Sequence, residues 1–287
     1  MNKIRLDVIG DPIDHSSSPL IHETVLKDLG IPYEYRKVNV KKGELLEYLK
    51  EVKINNIDGF NLTMPHKVDI LPYLDYIDPM AELFNSVNTI KVQNGNLLGY
   101  NTDADGMFFA LKEKGYCAKD KNIVILGAGG VVSTIALKMV IENAHSVTVL
   151  NRTLKKAESI KDLIFSKTGK NIFTNSLDLI SSSEALKDCD ILINGTPLGM
   201  HSFSEDFEDL TFLKDLKMGA LVYDLIYNPP KTKLLKVAEE YGFSTLNGFG
   251  MLIYQGLLAD KIFLGQELDF VRFKTIIEEK IKNLKKF

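Results

Sequence analysis

Gly127-Ala128-Gly129-Gly130 follows an apolar run at 123–126 and precedes a helix-forming stretch. Glycines permit a tight turn and let the backbone approach a pyrophosphate, which the free N–H groups and positive dipole end of a helix N-terminus can hold. The usual G-x-G-x-x-G/A spacing is imperfect, because Val132 fills its last position. As an isolated motif this is equally well a generic strand-to-helix turn. Its setting favours a nucleotide: strand, turn, helix, then a second strand at the expected distance. That strand ends in Asn151-Arg152-Thr153, with Leu154, Lys155 and Lys156 behind. An acidic residue there would bind a ribose 2′-hydroxyl. Arg152 instead offers a guanidinium to a 2′-phosphate and a flat face to adenine, and Asn151 and Thr153 add neutral hydrogen bonds. Thr153 also reads as a helix cap, which is compatible. The unit points to NADP(H) rather than NAD(H), and to a nicotinamide-dependent oxidoreductase.

Alternating elements must position this turn. Short strands are expected at 4–9 and 59–62 and an alternating strand at 33–40, with helices at 20–29 and 42–53. Residues 87–92 and 97–100 flank Asn94-Gly95, the signature of a β-hairpin. A helix follows at 103–114. A second series has β-branched strands at 122–126, 146–150, 190–194 and 220–224, with helices at 131–142, 153–165 and 232–241. A short strand at 243–245 and helices at 250–264 and 270–285 close the chain. The alternation implies an α/β fold with parallel sheets.

Composition narrows the function classes. The 287 residues are enough for two domains. A net charge of −3 gives no global attraction to nucleic acid or anionic membrane, so an anionic ligand needs a local site. No apolar run approaches the roughly 18–20 residues of a membrane span, and the first ten residues read as a strand rather than a signal peptide. Cys117 and Cys189 stand far apart in no metal spacing, which disfavours a disulfide framework or a zinc site and fits a reducing cytoplasm. His15, His22, His66, His145 and His201 show no metal-ligand pattern. Asp14-His15-Ser16 is no hydrolase triad, since adjacent residues rarely converge and no G-x-S-x-G elbow occurs.

A polar constellation precedes the glycine turn. Gly10-Asp11-Pro12 ends the first strand, and His15-Ser16-Ser17-Ser18-Pro19 leads into a helix. Alternate serines in an extended loop can aim two hydroxyls the same way, although Ser18 alone is better read as a helix N-cap before Pro19. Asn61-Leu62-Thr63-Met64-Pro65-His66-Lys67 runs from a strand end into a turn, where open α/β sheets place ligands. Val87-Asn88-Thr89 and Asn101-Thr102-Asp103 bracket the hairpin. With Gly127 to Gly130, Asn151-Arg152-Thr153, Asn194-Gly195-Thr196-Pro197-Leu198-Gly199-Met200, Tyr223-Asp224-Leu225-Ile226-Tyr227 and the segment 248–255, this ordered set resembles the shikimate dehydrogenases over nearly the whole chain.

The resemblance implies NADPH-dependent reduction of 3-dehydroshikimate to shikimate, in the route to chorismate and the aromatic amino acids. It implies an α/β substrate domain (1–103 and 249–287) and an inserted Rossmann-like NADP domain (104–248), with the active site in the cleft. Carried over by motif, Lys67 is the catalytic acid/base, with Asp103 beside it. Ser16, Ser18, Thr63, Asn88, Asp103, Tyr227 and Gln255 hold the substrate. Gly127, Ala128, Gly129, Gly130, Val131, Asn151, Arg152, Thr153, Leu154, Lys155, Lys156, Thr196, Leu225 and Gly248 contact the cofactor. An ammonium at Lys67 suits ketone reduction, where a nascent alkoxide needs stabilising and then a proton; an electrostatic anchor is the other reading of the same residue. No metal, nucleic acid or membrane is implied, and a homodimer is allowed but not required. Three alternatives stay open: a quinate/shikimate dehydrogenase using NAD or NADP, a dehydrogenase of another small substrate such as a methylene-folate, and a non-catalytic NADP(H)-binding protein.

Overall fold

The computed structural model describes residues 3–14, 16–178 and 184–284. His15 of the serine loop and Lys285, the anticipated end of the last helix, lie outside the described residues. The chain divides into two compact units, Met1–Gly106 with Ile253–Phe287 and Met107–Leu252.

The first unit contains β1 (Ile4–Gly10), α1 (Ser18–Asp28), β2 (Tyr33–Asn39), α2 (Leu45–Ile54), β3 (Gly59–Leu62), α3 (His66–Asp69), β4 (Tyr76–Ile77), α4 (Pro79–Phe84), β5 (Thr89–Gln93) and β6 (Asn96–Tyr100). Helix α5 (Asp103–Glu113) begins in it, and α9 (Phe249–Leu264) and α10 (Phe270–Leu284) return to it. Its sheet has the order β2-β1-β3-β5-β6-β4. Strands β2, β1 and β3 are parallel, whereas the β5–β6 hairpin joins antiparallel to β3. This sheet is therefore mixed rather than parallel throughout, because a two-residue connection reverses the chain. Asn94 and Gly95 take the positive φ values (53° and 80°) that such a turn needs.

Alternation along the strands feeds two apolar clusters. Ile9, Tyr48, Leu49, Val52, Phe60 and Ile90 pack in one, and Leu6, Leu26, Ala259 and Phe263 in the other. Phe60 is fully buried and meets Tyr48 edge-on at 5.3 Å; burying such a ring contributes roughly 1.5–3 kcal/mol. Asp7, also fully buried, is matched by two Arg36 bonds of 2.8 Å and one from Tyr48 Oη at 3.0 Å. A charge taken out of water needs this degree of pairing.

The second unit holds β7 (Asn122–Leu126), α6 (Gly130–Ile141), β8 (Ser146–Asn151), α7 (Leu154–Thr168), β9 (Phe173–Ser176), β10 (Ile191–Asn194), β11 (Leu221–Asp224), α8 (Lys233–Glu240) and β12 (Ser244–Asn247). All six strands run parallel in the order β9-β8-β7-β10-β11-β12. The chain winds outward in both directions from β7 and β10, so their junction is the switch point where open α/β sheets bind ligands. Strand β9 was not anticipated: Phe173-Thr174-Asn175-Ser176 is an edge segment with little apolar content.

The structure also explains the imperfect glycine fingerprint. Val132 is fully buried on α6. A Cβ at Gly195, just beyond β10, would collide with Val132 Cγ2. The close packing that a small residue at 132 would permit is thus obtained by removing the side chain on the facing strand end. Substituting Gly195→Ala should destabilise the protein by about 1–3 kcal/mol, and adding Val132→Ala should recover most of the loss. Urea unfolding of the two single variants and the double variant measures the coupling; additive losses would contradict this packing.

Candidate active site

The first unit gathers a polar group around the start of α5. Lys67 lies in α3, where the anticipated turn is a single turn of helix, and its carbonyl accepts a 2.8 Å bond from Val87 N–H. Beside it, buried His66 ties the same turn to Val40 O at 2.6 Å. With its backbone held from both directions, Lys67 places Nζ 2.7 Å from Asp103 Oδ2. Its side chain is 26% exposed and that of Asp103 only 10%, so the ion pair is largely shielded.

Asp103 is itself fixed. Asn88 Nδ2 donates to Asp103 Oδ1 at 2.8 Å and to Thr102 Oγ1 at 3.0 Å, while Asn88 Oδ1 accepts from Thr102 N–H and Thr89 Oγ1. Both N–H bonds of the Asn88 amide are therefore committed within the protein. The network continues to Asn61, whose Nδ2 donates to Thr89 Oγ1 at 3.1 Å and whose Oδ1 accepts from Tyr35 Oη at 3.2 Å.

The serine loop and Thr63 are brought together through backbone. Asp11 N–H bonds Met64 O at 3.0 Å, and Gly10 abuts Thr63 Cγ2, leaving no room for a side chain at 10. Ser18 is the first helical residue, so the cap position falls on Ser17, which makes no side-chain cap bond. Ser16 Oγ accepts from Ser18 N–H at 3.3 Å. Among the described residues, the Ser18 and Thr63 hydroxyls have no hydrogen-bond partner. Gln255 sits half-buried on α9.

In the second unit the turn after β7 is built for a close ligand. Gly127 has φ +101° and bonds Leu150 O at 2.7 Å. Gly129 caps α6, and a Cβ at either Gly129 or Gly130 would meet nothing within 4 Å. At the end of β8, Arg152 is exposed, as are Thr153, Leu154, Lys155 and Lys156. Thr153 is the N-cap of α7 but makes no cap bond, and Asn151 Nδ2 donates to Thr153 O at 2.9 Å. These features fit a dinucleotide with a 2′-phosphate. A cavity of about 570 Å³ lies at the other end of the same strands, lined by residues including Asn122, His145 and Ser146 at the starts of β7 and β8 and by Phe173 of β9, so it is separate from the turn.

Two family models match the chain: the shikimate dehydrogenase substrate binding domain over residues 8–90, and shikimate/quinate 5-dehydrogenase over residues 110–211. A shikimate dehydrogenase (NADP(+)) of Methanocaldococcus jannaschii is 41% identical over 276 residues, 96% of each chain. The chain belongs to the shikimate dehydrogenase family. A crystal structure of a shikimate dehydrogenase in complex with NADP+ has a TM-score of 0.87 at 39% identity, covering 97% of this chain and 96% of its own. A ligand-free 5-ketofructose reductase of Gluconobacter has a TM-score of 0.84 at 32% identity, covering 97% and 99%. The fold thus also carries a reductase named for a different ketone.

Several residues that brace these two groups were not singled out as site residues from sequence. Asn61 and Thr102 are buried partners of Asn88 or its neighbours. In the second unit, Asn194 and Asp224 end neighbouring strands in register and are both fully buried. Asp224 Oδ1 accepts from Asn194 Nδ2 at 3.0 Å and Ile226 N–H at 3.1 Å, and Oδ2 accepts from Thr232 Oγ1 at 2.6 Å. Asn194 Oδ1 in turn accepts from Thr196 N–H and Oγ1. This network fixes the loops carrying Thr196 and Leu225; Gly248 N–H adds a 3.0 Å bond to Ile226 O. A polar residue closing each of two apolar strands was the available signal.

Burial pushes the Asp224 carboxyl up to about 6, against the downward pull of its hydrogen bonds from Thr232, Ile226 and Asn194; Asp206 adds a small upward push. Between the unfolded value near 3.8 and about 6, the folded protein holds a proton that the unfolded chain has released. This group therefore lowers stability as pH rises through that window, by about 3 kcal/mol in all. Asp224→Asn cannot titrate. Its stability relative to the parent should improve by about that amount between pH 4 and pH 7. Denaturant curves at matched pH test this; a constant difference across the range would refute it.

Proposed function

We propose that this chain catalyses the reversible NADP-dependent interconversion of 3-dehydroshikimate and shikimate. The observation that carries the reading is the shielded Lys67–Asp103 pair, 2.7 Å apart and braced by Asn88, in a chain of this family. The first unit binds the substrate through Ser16, Ser18, Thr63 and Gln255. Hydroxyls and amides suit a polyhydroxylated ring, since directed hydrogen bonds orient it with little charge desolvation. The second unit holds the cofactor on Gly127 to Val131, with Arg152 and Lys155 at the 2′-phosphate. NADPH, when bound, supplies the hydride.

Lys67 supplies the proton. As the ketone carbon gains hydride, its oxygen develops negative charge, which the ammonium stabilises and then neutralises by donation. Asp103 holds the ammonium in place. Asn88, with both N–H bonds committed, acts by orienting Asp103. In the reverse direction Lys67 takes the hydroxyl proton. A reducing, cytoplasmic setting is supported by Cys117 and Cys189, both unpaired.

NADPH oxidation with 3-dehydroshikimate, run beside NADP+ reduction with shikimate and with quinate, tests the activity. Turnover is expected with the first two and weaker turnover with quinate. NADPH binding without turnover of any of them would refute it. For Lys67→Ala, kcat should fall about 10²–10⁴-fold while the KM for NADPH holds. A near-normal kcat with a raised substrate KM would reduce Lys67 to an anchor.

A further inference from the structure

Arg152 has a second interaction that the phosphate reading leaves unexplained. Its Nη1 lies 3.6 Å from Glu205 Oε2, with side-chain exposures of 77% and 55%. Glu205 is not a chance neighbour on a loose strand of chain. Its carbonyl accepts a 3.1 Å bond from Gly199 N–H, within the loop that follows β10. Two residues on, Phe207 is buried in the core of the second unit, and its N–H bonds Asp206 Oδ1 at 2.7 Å. The backbone at Glu205 and just after it is thus tied down, and the carboxylate is delivered to the guanidinium from a segment 53 residues away in sequence.

We propose that Glu205 weakens the grip of Arg152 on a 2′-phosphate and so sets how strictly the protein prefers NADP(H) over NAD(H). The inference rests on reading Arg152 as the 2′-phosphate ligand. A phosphate arriving at Arg152 must share the guanidinium with a carboxylate already beside it, and the two anions repel. A ribose 2′-hydroxyl meets no such penalty, and a carboxylate at this position is an acceptor for it. Glu205 therefore acts against the phosphorylated cofactor alone. Because both groups are solvated, the effect is modest, on the order of twofold to fivefold in affinity, and it shrinks with added salt.

The test is fluorescence titration of NADPH and NADH into the parent protein and the Glu205→Gln, Glu205→Lys and Arg152→Ala variants, at low and high salt. Glu205→Gln should tighten NADPH about twofold to fivefold and leave NADH unchanged or weaker. Glu205→Lys should extend the same trend. Equal changes for both cofactors, no change, or weaker NADPH binding would overturn the proposal; the last would make Glu205 a support for Arg152. Arg152→Ala should weaken NADPH far more than NADH. Equal losses there would remove the 2′-phosphate reading itself, a result distinct from a failure confined to Glu205.

Discussion

A buried amide that gives an N–H to a buried carboxylate holds together a polar cluster in each of the two units. In the first unit Asn88 bonds one oxygen of Asp103 and leaves the other to Lys67. In the second, Asn194 bonds one oxygen of Asp224 and leaves the other to Thr232. The allocation is the same in both. Hydrogen bonds to an ionised group are worth about 1.5–3 kcal/mol each, and a buried carboxylate without them would be costly. The amide also has only one productive orientation, because its oxygen is claimed by the next loop: Thr102 N–H in one case, Thr196 N–H in the other. The amide thereby locks a loop to each carboxylate without adding a charge of its own.

These bridges work because the strands deliver their polar ends to a common edge. Strands β10 and β11 pair in parallel with Asn194 opposite Asp224, so their loops leave side by side. Strands β1 and β3 do the same for the serine loop and Thr63. At both places backbone must approach side chain closely, and Gly10 and Gly195 provide the room. The apolar residues behind them, Ile9 and Phe60 in one sheet and Ile125 and Leu192 in the other, are fully or almost fully buried. Packing of that kind keeps strand ends from shifting relative to one another.

Not every buried polar cluster is a site. His22 Nδ1 and Asp260 Oδ1 lie 2.6 Å apart, both wholly buried, with His22 stacked on Tyr35 at 4.9 Å. The pair joins α1 to α9 within the first unit, as Asp7, Arg36 and Tyr48 join its sheet to α2. Such contacts specify which helix faces which strand. Neither was visible as a pair beforehand, since 238 residues separate His22 from Asp260.

Residue type and spacing alone determined the α/β alternation, the hairpin at Asn94-Gly95, the glycine turn and the basic end of β8. Each depends on neighbours within one or two turns of chain, where periodicity and turn chemistry act directly. The ordered motifs also identified the family. What tertiary structure decided was every relation across the sheets: the antiparallel attachment of that hairpin to β3, the edge strand β9, and the helical turn at Lys67. It also decided that Gly195 accommodates Val132, that the Asn88 amide is fully committed, and that Glu205 stands against Arg152. These arise from packing between segments tens of residues apart, and no local propensity encodes which side chain will meet which.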